Sequence, residues 1–140
     1  MKTTILSLAI ALLLSGGSFV SMAADMKDKV KVETDTVGLH PGMEPGMYVC
    51  ASNHLHINGT VQNLTQRTLG KIKVTGKAFG ADGKLLGTAS SSTKQASLDP
   101  GKKAEINVEF LTVTGPLIEQ VKKHELTVIE APEFRKQTGG

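Results

Sequence analysis

Apolar and polar positions alternate with a period of two along much of this chain, the signature of half-buried strands. Val30-Lys31-Val32-Glu33-Thr34 predicts a short edge strand. From Tyr48 the chain is again extended, with Leu55, Ile57 and Val61 on one parity and His54, His56, Asn58 and Thr60 on the other, facing away from the core. In "KIKVTGKAF" Ile72, Val74 and Ala78 face one way and Lys71, Lys73, Thr75 and Lys77 the other, a solvated lysine row that also blunts edge pairing. The clearest strand is Ala104, Ile106, Val108 and Phe110 inward with Glu105, Asn107 and Glu109 outward. "HELTVIEAP" supplies the last, with Leu126 and Val128 inward.

Turn chemistry separates these runs. Pro41, Gly42, Pro45 and Gly46 forbid regular structure in "HPGMEPGM", which must be a loop. Asn63 to Thr68 reads as a turn, "GADG" closes a hairpin onto Lys84 through Ala89, and "SSSTKQAS" fits a loop or weak edge strand. Asp99-Pro100-Gly101 turns the chain into its longest strand. "PLIEQVKK" predicts one or two helical turns with Pro116 at the start. Short strands at regular spacing with almost no helix predict an all-β fold, an antiparallel β-sandwich.

The opening changes the picture of the compartment. Lys2, the apolar run Ile5 to Leu14 and the small residues before Ala24 have the three-part layout of a secretory signal peptide. Cleavage is expected before Ala24, or alternatively before Asp25. The run breaks at Ser15-Gly16-Gly17, short of the roughly 20 apolar residues of a transmembrane helix, and no later segment is longer. The expected layout is a signal peptide over 1–23, an N-terminal strand and Pro/Gly/Met loop over 24–52, a sandwich over 53–131 and a flexible tail over 132–140. The expected location is periplasmic or secreted, in a bacterium.

Charge and aromatics narrow the partners. The formal charge of +3 includes Lys2, so the processed chain carries too little positive charge to argue for nucleic acid. Only Tyr48, Phe79, Phe110 and Phe134 remain for stacking after cleavage. Asn58-Gly59-Thr60 and Asn63-Leu64-Thr65 match the glycosylation pattern, but with a bacterial signal both asparagines read as structural.

Three stretches, "LHINGTVQN", "VTGKAFGADGKLLGT" and "LDPGKKAEINVEF", together resemble the FxLYD-type immunoglobulin-like domains of bacterial envelope proteins over residues 53 to 131. The likeness lies in Gly59-Thr60-Val61-Gln62-Asn63, Asp82-Gly83 and Asp99-Pro100-Gly101. It departs at the naming motif, where Ala78-Phe79-Gly80-Ala81-Asp82 shares only the aspartate. The resemblance implies an immunoglobulin-like sandwich in the envelope and carries no catalytic residues.

Chemistry concentrates in "HPGMEPGMYVCASNHLH". Thioether and thiolate donors suit Cu(I), and imidazole suits copper or zinc. Met43, Met47, Cys50, His54 and His56 are therefore candidate metal ligands, with His40 a further one and the methionines favouring copper. In an uninterrupted strand Cys50, His54 and His56 share a face, with neighbours two apart separated by roughly 7 Å. A bulge at Ser52-Asn53 would instead turn Cys50 inward. The competing interpretation is structural: methionines plugging a sandwich edge, exposed histidines and a buried thiol. Cys50 has no second cysteine to pair with, so it would be buried, bind metal or link two chains as a disulfide dimer. Nucleophilic catalysis would need an oriented base, and the glycines lack phosphate-loop spacing, so no enzyme is expected. The leading expectation is a non-catalytic envelope binding or accessory module with an envelope protein partner. The alternative is a periplasmic copper-binding protein for storage or delivery.

Overall fold

The computed structural model describes residues 25–35 and 44–136. The signal-peptide region, His40, Met43 and the last four residues lie outside them. The described chain forms seven strands: β1 (Val30–Thr34), β2 (Met47–Val49), β3 (His54–Asn63), β4 (Lys73–Phe79), β5 (Leu85–Ser92), β6 (Lys103–Thr114) and β7 (Lys123–Glu130). A single turn of 3-10 helix, Lys27–Lys29, precedes β1, and the four-residue helix α1 (Pro116–Glu119) follows β6. All pairings are antiparallel.

Two sheets make the sandwich. In the first, β3 is central, with β6 on one side and both β1 and β2 on the other; in the second the order is β5-β4-β7. β1 pairs with the far half of β3 (Val30 opposite Asn63) and β2 with its near half (Val49 opposite Leu55). Between them the Asp35 amide donates to the Asn58 carbonyl at 3.1 Å and the Asn58 amide to the Gly46 carbonyl at 2.8 Å, so the ladder continues. β1 and β2 thus line the same side of β3 as two parts of one edge. Gly46 allows the close approach to β3: its φ is +86°, and a Cβ there would lie 2.8 Å from the Asn58 carbonyl oxygen.

The core follows the predicted parity. Leu55, Ile57 and Val61 of β3, Val74 and Ala78 of β4, and Ala104, Ile106, Val108 and Phe110 of β6 are all buried. Each fully buried large side chain contributes roughly 1.5–3 kcal/mol relative to exposure. Gly76 faces the same layer, and a Cβ there would come within 2.9 Å of the Phe110 ring, so the large ring of one sheet fits over the missing side chain of the other.

Several elements differ from expectation, each for a stated reason. β4 begins at Lys73, because Ile72 is bonded instead to Thr93: its amide donates to Thr93 Oγ1 at 3.0 Å and its carbonyl accepts from the Thr93 amide. The serine tract takes the edge-strand alternative of its two expected forms as far as Ser92, paired residue by residue with β4. β6 outruns its predicted end: Leu55 pairs with Phe110 but His54 with Thr114, so residues 111–113 bulge and Val113 returns to the core. From residue 132, where a free tail is predicted, the chain stays attached as far as Phe134, whose amide donates to the Thr68 carbonyl.

The largest difference lies beside the candidate ligands. No single strand runs from Tyr48 to Val61. The chain reverses at Cys50-Ala51-Ser52-Asn53: the Asn53 amide donates to the Cys50 carbonyl at 2.9 Å, the Cys50 amide donates to the His54 carbonyl at 3.1 Å, and Asn53 takes φ of 62°. This is a three-residue hairpin loop closed by a left-handed residue, and asparagine tolerates that conformation better than most.

Candidate metal centre

The hairpin builds the site. Register sets Tyr48 opposite His56 and Val49 opposite Leu55, and the turn brings Cys50 against His54. Cross-strand partners share a face, so Tyr48, Cys50, His54 and His56 all lie on the outer side of the first sheet. On the other side of β3, Glu109 is paired with His56 and Asn107 with Asn58, which adds both β6 side chains to the same face. Cys50 reaches the histidine face by chain reversal, not by parity along one strand, and no bulge turns it inward.

His56 is the centre of the cluster. Although it points away from the core, it is 8% exposed. The Tyr48 ring stacks on it, with centroids 4.6 Å apart and planes inclined by 22°. Asn107 accepts from His56 Nδ1 through Oδ1 at 2.8 Å and donates through Nδ2 to the Tyr48 hydroxyl at 2.6 Å. That hydroxyl lies 3.1 Å from Nδ1. With the proton on Nδ1, the neutral ring carries its lone pair on Nε2, which is sealed from solvent and has no hydrogen-bond partner among the described residues. A buried polar atom without a partner is costly, by about 1–3 kcal/mol; His124 Nδ1 is in the same condition, and His56 differs from it in belonging to a group with a thiol and a carboxylate.

The Cys50 sulfur, an imidazole nitrogen of His56 and a carboxylate oxygen of Glu109 lie within 4.8 Å of one another. Because Asn107 and Tyr48 occupy Nδ1, Nε2 is the nitrogen available to an ion. Cys50 is half-buried, and the His54 backbone, assisted by the His56 ring and the Ser52 backbone, holds its thiol below the usual range against a smaller upward push from desolvation. A thiol that ionises easily is a better metal ligand. His54 Nδ1 contacts Glu109 Oε1 at 2.9 Å, placing it behind the carboxylate.

The remaining predicted ligands are distributed differently. Met47 is paired with Ile57, points between the sheets and is 1% exposed, so its thioether belongs to the core. His40 and Met43 fall outside the described residues. Sequence reasoning missed Glu109, Asn107 and Tyr48 as participants. The outward parity of Glu109 and Asn107 was visible, but only the β3–β6 register sets them beside the histidines. His124 was also missed: its largely buried ring spans the two sheets, with Nε2 at 2.9 Å from the Pro45 carbonyl, and so fastens the chain just before β2.

No protein-family model and no curated protein matches this chain. Among solved structures, it is similar to a DUF1425 family member from Shewanella sp. pv-4, at 16% identity and a TM-score of 0.45, covering 75% of this chain and 81% of that one. The fold is that of an all-β protein of two antiparallel sheets.

Proposed function

We propose that this protein is a non-catalytic module of a bacterial envelope that binds a metal ion on the outer face of its first sheet through Cys50, His56 and Glu109. One observation carries the reading: an oriented imidazole whose buried Nε2 has no partner, in a group whose thiol and carboxylate donors all lie within 4.8 Å of one another. The layout of residues 1–23 supports the compartment, and the turn motifs support kinship with FxLYD-type immunoglobulin-like domains. A binding role is favoured over catalysis because the imidazole is covered by Tyr48. The neighbouring cleft walled by Asn58, Glu105, Asn107 and Lys94 does not include Cys50, His56 or Glu109. The test is a titration of the reduced protein with transition-metal ions against chromophoric chelators. One equivalent bound by the parent and lost in Cys50→Ser is expected; equal behaviour of the two proteins rejects the reading.

A second reading, capture of an envelope protein by strand addition, is favoured by β5. It lies at a sheet edge, and Leu85 to Ser92 includes no charged residue or proline to deter pairing. Thr88→Lys is expected to abolish co-purification of that partner while leaving metal binding intact. Co-purification that survives the substitution counts against it.

A further inference from the structure

Of the two candidate methionines, Met47 is buried in the core, and the described donors beside Cys50 suit a different ion from copper(I). We infer that the centre selects zinc(II) over copper(I). This rests on the metal-binding reading above and names its ligand.

Copper(I) sites draw on soft sulfur, and here the described thioether nearest in sequence is withdrawn into the core: Met47 is 1% exposed on the opposite side of β2 from Cys50. In its place stands Glu109, a hard oxygen donor. One thiolate, one imidazole and one carboxylate form a mixed set that matches the borderline character of zinc(II), whose ordinary ligands are these three groups. Calcium and magnesium, which prefer oxygen throughout, are poorly served by the sulfur.

The separation of the donors agrees. Tetrahedral zinc with ligands at about 2.0–2.3 Å sets neighbouring donors roughly 3.3–3.8 Å apart. Atoms already within 4.8 Å need to close by little more than about 1 Å, within the reach of side-chain rotation. The three donors come from β2's hairpin, β3 and β6, so the scaffold is a paired sheet, with no dependence on the segment before β2. The imidazole is also supported from behind: its second nitrogen is held by Asn107, the outer-shell arrangement that fixes the tautomer of metal-ligating histidines. His54, on the carboxylate of Glu109, plays the same part for the oxygen ligand.

The decisive experiment measures zinc(II) and, anaerobically, copper(I) affinities of the purified reduced protein by chelator competition, with Cys50→Ser and Glu109→Gln alongside and circular dichroism as a control for folding. Cobalt(II) serves as a spectroscopic stand-in for zinc. The expected result is one zinc(II) bound, with affinity lowered at least 10-fold in both variants, and a tetrahedral cobalt spectrum with a thiolate charge-transfer band that Cys50→Ser loses. Copper(I) bound more tightly than zinc(II), with both Cys50→Ser and Glu109→Gln weakening it, overturns the inference while leaving the metal-binding reading standing. A folded, reduced protein that binds neither metal overturns both.

Discussion

Two buried polar clusters sit at opposite ends of β3, and they differ in how completely they are satisfied. At the far end Asn63 is 0% exposed and every polar atom of its side chain is used: Nδ2 donates to the carbonyls of Arg67 at 2.7 Å and Leu98 at 2.9 Å, and Oδ1 accepts from the Thr65 amide at 2.9 Å and its hydroxyl at 2.6 Å. At the near end His56 is also buried, at 8% exposed, yet only Nδ1 is engaged and Nε2 is not. The first cluster ties a loop to the sheet end and is complete as it stands. The second leaves one buried nitrogen open. A closed hydrogen-bond inventory marks a structural role, and the open one beside a thiol and a carboxylate is what the proposed metal binding rests on.

The contrast breaks most visibly at Asn63. Asn63→Ala leaves the buried Thr65 amide without its acceptor and takes one of two donors from each of the Arg67 and Leu98 carbonyls, and is expected to lower unfolding free energy by about 2 kcal/mol, read from urea denaturation, while leaving metal affinity unchanged. A loss below about 1 kcal/mol would mean that the loop relaxes to solvate those groups.

His56 should respond in the opposite sense. Replacing a half-satisfied buried group by an apolar one of similar size is often neutral, so His56→Leu is expected to change stability by no more than about 1 kcal/mol and to abolish metal binding. A large loss of stability with metal binding retained would make the imidazole structural after all.

Asn107→Ala tests the link between the tautomer and the ion. Removing the hydrogen-bond partner behind a metal-ligating histidine typically lowers metal affinity about 10–100-fold, and that fall is expected here with the fold intact by circular dichroism. Unchanged affinity would show that Asn107 does not orient the ring.

The smallest effect concerns Cys50. Its thiol is held below the usual range chiefly by the His54 backbone and then by the His56 ring. Alkylation of the metal-free protein should therefore reach half its maximal rate at a lower pH than an unstructured thiol does, and His56→Leu should raise that midpoint only in part. The sign for stability follows. The folded chain releases this proton at lower pH than the unfolded chain, so the thiolate's contribution is full above the unfolded thiol's range and fades as pH falls through the folded value. An alkylation profile matching that of the urea-unfolded protein would remove the shift.

The chain's local pattern determined the strands, the inward residues and the sandwich, because period-two alternation and turn residues act over a few neighbours and the solvent sorts the two faces. It also identified Cys50, His54 and His56 as companions on one outer face. The route was different, since a hairpin closed by Asn53 replaced the expected single strand, and such a turn carries no glycine to announce it. What tertiary structure alone decided was the company those residues keep. Glu109 and Asn107 arrive from more than 50 positions away, and Met47 leaves because its parity commits it to the core. Register across β3 and β6 is set by how the buried faces of two sheets fit, Gly76 beneath Phe110 among them. That fit is a non-local property, and the alternation along any one strand is compatible with several registers that differ by two residues.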